Sequence, residues 1–370
     1  MGHARKQQLS IFITTNCNLK CEYCQLSTSE TEIEPQDQVI DFNFACRGID
    51  DFFRDYPSRS VRFYSAGEVT TQMDIFKRIV EYIKAKNEKH LFLELQTNGF
   101  FSKIIADWIE ENMDFVWISF DGLPEFQNRN RLDRGGNDTA DIVLSNMTRF
   151  SKSNIVDVGC RVTITPEMVD RQRDIVRFLH DVGIKYISVE RSYTSVNGQT
   201  YFEAKTDPEY FAEHFFDAFN FANSIGVFYN HFNMVNFDEP SRFFCRSCVP
   251  YPQLTTDGYI SCCDMAPFGK PQYLKYSFKD LIYGRYDAEN DIIIYDEEKI
   301  HDIRQRNAYN LAKGVCKGCD IVYNCAGGCM GQAYNHTGEI CSISDWNCAV
   351  TKYLAARMPY NQGLYPILHS

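Results

Sequence analysis

Up to about residue 225, apolar positions along this chain follow two alternating rhythms. Short apolar runs of strand character fall at Leu9–Thr14, Val61–Ser65, Leu91–Gln96, Phe115–Ser119, Val156–Ile164 and Tyr186–Glu190. Between them apolar residues recur at the spacing that lines one helix face, at Val39–Phe53, Ile75–Ala85, Lys103–Glu111, Ala140–Phe150 and Arg173–Val182. Six strands alternating with helices predict right-handed crossovers and a parallel sheet, hence an α/β fold. Chemistry in such sheets sits on loops at the carboxyl ends of the strands, where most of the informative residues fall. After Pro240 the helical rhythm fades, and cysteine, glycine and turn residues dominate through Cys348. That texture predicts a second, loop-rich unit held by metal rather than by a large core.

A length of 370 residues fits two domains, and 44% hydrophobic with 14% aromatic residues suits a globular protein with a substantial core. Acidic residues outnumber basic ones, 49 against 38, for a formal charge of −11. Without a basic stripe the chain lacks the phosphate-neutralising surface that nucleic acid needs, so no nucleic-acid partner is expected. The short polar N-terminus lacks a signal-like apolar core and no apolar run reaches the length of a membrane span. A cytoplasmic protein without a membrane partner is therefore expected. What changes the picture is the count of 15 cysteines. Clustered this tightly in a large chain without a signal, they read as metal-binding thiolates rather than disulfides.

The first group, Cys17-Asn18-Leu19-Lys20-Cys21-Glu22-Tyr23-Cys24, directly follows the first strand. Three thiolates on one loop can hold three irons of a [4Fe–4S] cube and leave the fourth open to a cosubstrate. The alternatives are a zinc site short of a ligand, against the four-ligand habit of structural zinc, or three unrelated buried thiols. A second group runs Cys248-x9-Gly258-x4-Cys263, then Cys316-x2-Cys319-x5-Cys325-x3-Cys329, then Cys341 and Cys348. Taken alone, Cys316 to Cys329 also fits a four-cysteine zinc knuckle.

The C-x3-C-x2-C spacing resembles the signature of the radical S-adenosylmethionine (SAM) superfamily. The resemblance implies a partial (β/α)6 TIM-type barrel over residues 1–235, in which SAM chelates the open iron and is cleaved to a 5′-deoxyadenosyl radical. Downstream motifs fit. Ser65-Ala66-Gly67-Glu68 resembles the Gly-Gly-Glu motif that meets the SAM amino group, with alanine for the first glycine. Gly67 and Glu68 are carried over, and a carboxylate is the expected partner of an ammonium. Leu95-Gln96-Thr97-Asn98-Gly99 resembles the third-strand motif at the barrel rim, which adds Gln96. Ser119-Phe120-Asp121-Gly122 with Asn130-Arg131 resembles a stretch whose serine and arginine contact the SAM ribose and carboxylate, so Ser119 and Arg131 follow. Tyr23 matches an aromatic position near adenine. Read singly, Asp121-Gly122 is a common turn, Thr97-Asn98-Gly99 closes a strand, and Arg131 sits in a charged loop.

Residues 236–370 resemble the SPASM extension, which houses two auxiliary clusters and so implies three [4Fe–4S] clusters in all. By that likeness Cys248, Cys263 and Cys329 serve the first auxiliary cluster, and Cys316, Cys319, Cys325 and Cys348 the second. Cys245 either completes the first or leaves one iron open. Cys262 and Cys341 are spare, while Cys46 and Cys160 read as core thiols.

Asp264, directly after Cys263, resembles the aspartate that acts as base in anaerobic sulfatase-maturating enzymes. Beside an anionic cluster its pKa is expected to be raised; the alternative is a turn aspartate bonding its own backbone. Arg191 reads as a solvated loop charge, or else as a contact for an anionic substrate. The resemblance implies a maturase of ribosomal peptides or sulfatases that abstracts hydrogen from a peptide or protein side chain. It also implies an electron donor such as flavodoxin or ferredoxin. The alternative is a dehydrogenase or epimerase of a small molecule such as a sugar or aminocyclitol. Many peptide maturases carry an extra N-terminal domain that grips a leader peptide, and the mere ten or so residues before the first strand cut against the expectation of a typical one.

Overall fold

The structure, a computed structural model, describes residues 7–24, 38–192, 195–196, 199–234, 236–237, 240–273 and 279–358. The expected strands stand as β1 (Leu9–Phe12), β2 (Ser60–Tyr64), β3 (Phe92–Thr97), β4 (Phe115–Ser119), β5 (Asp157–Ile164) and β6 (Tyr186–Arg191). Each runs parallel to the next, in chain order. The expected helices lie between them at Phe42–Asp55 (α1), Met73–Ala85 (α2), Lys103–Asn112 (α3), Ala140–Ser151 (α4) and Gln172–Val182 (α5). In α1 the Asp41 carboxylate caps the N-terminus, accepting from the Phe44 N–H at 2.8 Å, while Phe44, Ile49 and Phe52 enter the core. Gly48 lets this helix press close: a Cβ there would lie 2.4 Å from Leu254 Cδ1.

One unit escaped the sequence pattern. α6 (Pro208–Ser224) leads into β7 (Phe228–His231), which pairs parallel with β6. Phe211, Phe215 and Phe219 form the buried face of α6, but Phe216 and Phe221 flank them, so the amphipathic period is blurred. Each buried phenylalanine contributes on the order of 2 kcal/mol. In β7, Asn230 and His231 interrupt the apolar run that marks a strand.

On the far side of β1 the sheet continues. β8 (Gln253–Leu254) lies parallel to β1, followed by antiparallel β9 (Tyr259–Ser261), β10 (Ile282–Asp287) and β11 (Ile292–Tyr295). The parallel part is therefore an open, partial barrel, and the cysteine-rich part joins it by strand pairing. That part is less loop-rich than expected, with helices at Glu297–Gln305, Met330–Thr337 and Asp345–Ala355. Glu297–Gln305 and Met330–Thr337 are too short to show a period in sequence. The expected division between residues 235 and 236 touches Val235, which lies outside the described residues. Among the described residues no helix is long and apolar enough to cross a membrane.

Candidate active site

A cavity of about 460 Å³ opens at the carboxyl ends of the parallel strands. Because strand side chains alternate, β1 to β6 each send an inward residue into it: Phe12, Tyr64, Gln96, Ser119, Thr163 and Glu190. One step back along the strands, the ladder register sets Gln253, Ser10, Arg62 and Glu94 side by side in a polar row.

The loop after β1 brings Cys17, Cys21 and Cys24 to this cavity. Two short strands, Leu19–Cys21 and Arg131–Asp133, pair antiparallel and set Cys21 opposite Arg131. Leu19 N–H and Asn98 Nδ2 donate to Cys17 Sγ at 3.5 and 3.9 Å. Burial pushes Cys17 up to about 12 and Cys21 up to about 11, so both stay protonated at neutral pH until a metal displaces the proton. Gly67 lines the cavity and touches the same loop. A Cβ there would lie 2.1 Å from the Asn16 carbonyl oxygen, so only glycine lets the two loops meet.

Glu68 is buried, and its carboxylate accepts from Thr70 N–H, Thr70 Oγ1, Thr97 Oγ1 and Asn98 N–H at 2.6–3.0 Å. Three of these donors reach Oε1, which leaves Oε2 room for one more. Burial raises the Glu68 pKa, and the four donors oppose that rise. The Tyr23 hydroxyl donates to Asp121 at 2.7 Å, and its ring centre lies 5.3 Å from the Arg131 guanidinium. Asp121 also accepts from Asn130 Nδ2 at 3.0 Å and Arg131 Nε at 2.9 Å. The Asp121-Gly122 turn, the Asn130-Arg131 pair and Tyr23 are thus one buried network, with Ser119 and Arg131 facing the cavity.

Cys245, Cys263, Asp264 and Cys329 line the same cavity. Asp264 departs from its expected raised pKa. Burial alone would raise it, but Arg62 donates to Oδ1 at 2.5 Å and Arg246 at 3.3 Å, and these guanidiniums hold the carboxyl well below the usual range. Ser10 Oγ accepts from both arginines, at 3.0 and 2.9 Å. Arg246 also donates to Gln8 Oε1 at 3.4 Å, and the Gln8 amide donates to Glu94 at 3.2 Å. Neither arginine stood out in sequence, although Arg62, a charge inside an apolar strand, is a signal, since arginine is rarely buried unless paired. Arg161, which donates to Gln96 Oε1 at 3.0 Å and lines the cavity, was missed as well.

Arg191 is not a solvated loop charge. It is wholly buried, donates to Glu203 Oε1 at 2.5 Å and Gln332 Oε1 at 2.6 Å, and lies 4.9 Å from the Trp346 ring centre.

Gly331 lets the segment after Cys329 pack on Cys263, since a Cβ there would lie 3.1 Å from Cys263 Sγ. The Cys245 and Cys248 thiols hydrogen-bond, and that bond together with burial drives the Cys248 pKa well up. Cys316, Cys319, Cys325 and Cys348, together with Cys329, line a second cavity. Burial pushes Cys325 and Cys329 up to about 12. Among the described residues no three histidine, cysteine or acidic side chains are grouped as a single metal ion requires. The thiols surround cavities instead, a donor set that fits iron–sulfur clusters. Of the remaining cysteines, Cys160 and Cys262 are buried, Cys46 is half-buried and Cys341 is exposed.

Residues 11–182 match the Radical SAM superfamily. The chain is 23% identical over 184 residues to a tungsten-containing aldehyde ferredoxin oxidoreductase cofactor-modifying protein of Pyrococcus furiosus. That match covers 48% of this chain and 49%, about half, of the relative. A cysteine-type anaerobic sulfatase-maturating enzyme of Clostridium perfringens is 22% identical over 326 residues, 83% of this chain and 87% of its own length. The solved structure of native anSMEcpe with bound AdoMet is similar in fold, with a TM-score of 0.73 at 19% identity over 95% of this chain and 97% of that one. The same protein with bound AdoMet and Cp18Cys peptide gives 0.70 at 18% identity, over 95% and 97%. The three-cysteine loop and strands β2 to β5 fall within the matched span, and residues 11–182 of this chain are a radical SAM domain.

Proposed function

We propose that this radical SAM enzyme abstracts hydrogen from a side chain of a peptide or protein, leading to oxidation or a cross-link. The observation that carries the reading is one cavity shared by the three-cysteine loop, Glu68, Arg131 and Asp264. Cosubstrate groups and a candidate base thus face the same substrate. The likeness to a sulfatase-maturating enzyme, and to a structure with a peptide bound beside AdoMet, supports a peptide as that substrate.

Cys17, Cys21 and Cys24 hold a [4Fe–4S] cluster that, with SAM, supplies a hydrogen-abstracting 5′-deoxyadenosyl radical. Glu68 takes the SAM ammonium on Oε2, while Ser119 and Arg131 bind its ribose and carboxylate. Gln96 and Gly67 bound this pocket, and Tyr23 steadies Asp121 so that Arg131 keeps its aim. Asp264 would accept the proton given up as the substrate-centred radical passes its electron to an auxiliary cluster; Arg62 and Arg246 occupy Oδ1, which leaves Oδ2 for that proton. Cys245, Cys248, Cys263 and Cys329 form one auxiliary cluster site, and Cys316, Cys319, Cys325 and Cys348 the other. Residues 1–235 form the barrel domain and residues 236–370 the SPASM domain of a cytoplasmic enzyme served by a flavodoxin or ferredoxin.

The test is anaerobic incubation with SAM, reductant and candidate peptides, including any encoded beside the gene, followed by mass spectrometry. Deoxyadenosine release with a mass change on a peptide supports the reading. Release coupled instead to change in a sugar or aminocyclitol overturns it.

A further inference from the structure

The Arg306 side chain is wholly buried. Through Nη2 it donates to the Gly327 and Gly328 carbonyls at 2.7 and 3.1 Å. Through Nη1 it donates to the Ile340 carbonyl at 2.6 Å and to the Ser342 carbonyl. The first two carbonyls belong to the turn joining Cys325 to Cys329; the other two flank Cys341, on the segment leading to Cys348. In the first turn Ala326, Gly327 and Gly328 all take positive φ, at 47°, 79° and 70°, a run that Gly327 and Gly328 make possible. Arg306 therefore ties together two ligand-bearing segments where the auxiliary groups cross.

Its charge is the unexplained feature. Nε has no hydrogen-bond partner, and no carboxylate pairs with the guanidinium among the described residues. A buried charge is ordinarily paired, because desolvating it costs several kcal/mol. Carbonyl dipoles meet only part of that. The carbonyls it holds sit beside cysteines of both auxiliary sites: Gly327 and Gly328 lie between Cys325 and Cys329, and Ile340 and Ser342 lead to Cys348.

We infer that Arg306 is the shared counter-cation of the two auxiliary cluster sites and holds their reduction potentials up. The inference rests on reading those cysteines as cluster ligands. Reduction adds negative charge to a buried site, so a fixed cation stabilises the reduced form more than the oxidised one. Arg306 is a positioning residue as well, and a test must separate its charge from its four hydrogen bonds.

Arg306→Met keeps length without charge, and Arg306→Lys keeps charge with fewer donors. Both are made in the full chain carrying Cys17→Ala, Cys21→Ala and Cys24→Ala, so that only the auxiliary sites take up iron. Redox titrations followed by electron paramagnetic resonance then read the potentials. The Met variant is expected to keep its iron and to shift the reduction equilibrium at least tenfold toward the oxidised form, about 59 mV for a one-electron couple. The Lys variant stays near the parent. Iron loss in the Met variant alone, with the Lys variant like the parent, supports the same conclusion. Unchanged potentials in the Met variant, or equal shifts or equal iron loss in both, overturn it and leave Arg306 a clamp. A parent chain that binds no auxiliary iron defeats the cluster reading, and this inference with it, before either variant is compared.

Discussion

Arg62 Nη2 lies 2.5 Å from Asp264 Oδ1, joining a barrel strand to the turn that follows Cys263. The guanidinium is wholly buried, while the carboxylate reaches the cavity with 36% of its side chain exposed. Arg62→Met leaves Asp264 hydrogen-bonded to Arg246 alone and removes a buried charge tie between the two parts of the chain. The variant is expected to lose about 2–4 kcal/mol of stability, somewhat under the loss for a fully buried pair. Urea denaturation of the anaerobic protein measures it, and a loss below about 0.5 kcal/mol would show that the pair is not structural.

Glu68→Gln is expected to weaken SAM binding at least tenfold without stripping iron. The amide can no longer offer two anionic oxygens to four donors and an ammonium, and its NH2 must face one of those donors. Arg131→Ala acts in the same direction and also leaves Asp121 buried without its cation. Equilibrium dialysis with SAM reads both. Unchanged affinity in the two variants would mean that the cosubstrate pocket lies elsewhere.

The anaerobically reconstituted chain is expected to bind about 12 irons, from three four-iron clusters. Replacing Cys17, Cys21 and Cys24 with alanine removes about four of them and ends SAM cleavage. Stoichiometric zinc with only about four irons would defeat the two auxiliary sites. Cleavage surviving the triple replacement would defeat the first site.

The barrel was legible because strand runs and helical spacing are local patterns, as in Phe115–Ser119 and Gln172–Val182. The three-cysteine loop was legible for the same reason. Pairing across the sheet is not local. Ser10, Arg62 and Glu94 meet only because three strands share a register, and no window of sequence contains it. Tyr23 likewise finds its partner Asp121 98 positions away, so an aromatic read from sequence as an adenine neighbour proves to be tied down by its hydroxyl. Arg191 read as solvated because its partners, Glu203 and Gln332, come from other segments.

His231 gives stability a pH dependence. It packs against Phe211, Phe215 and Phe232, its Nδ1 accepts from the Asn233 N–H at 3.2 Å, and burial with nearby Arg191 pulls its pKa down from 6.5 to about 3. Between those values the unfolded chain binds a proton that the folded chain refuses. The contribution is complete above pH 6.5 and is lost as pH falls, by about 1.4 kcal/mol per unit well below that point. His231→Phe should flatten this slope between about pH 6.5 and 5. Denaturation midpoints of both proteins across that range check it, and parallel slopes would show that His231 is not the titrating group.

Asp264→Asn tests the base most directly, and the arginine pair shapes how the result is read. The amide oxygen can still accept from Arg62, so the turn beside Cys263 keeps its geometry, but two buried guanidiniums lose their shared anion. Iron is expected to stay and deoxyadenosine release to continue, while product falls by two or more orders of magnitude, roughly the scale for losing a general base. Displaced arginines alone could also lower product, and a second variant separates the causes. Arg62→Gln combined with Asp264→Asn restores the charge balance without restoring a base. If product returns in the double variant, the single variant failed through unpaired charge and Asp264 is structural. If it stays absent while SAM cleavage persists, the missing proton acceptor is the cause. Normal product in the single variant would mean that Asp264 only shapes the turn, and would remove the main residue-level support for a sulfatase-maturase type of chemistry.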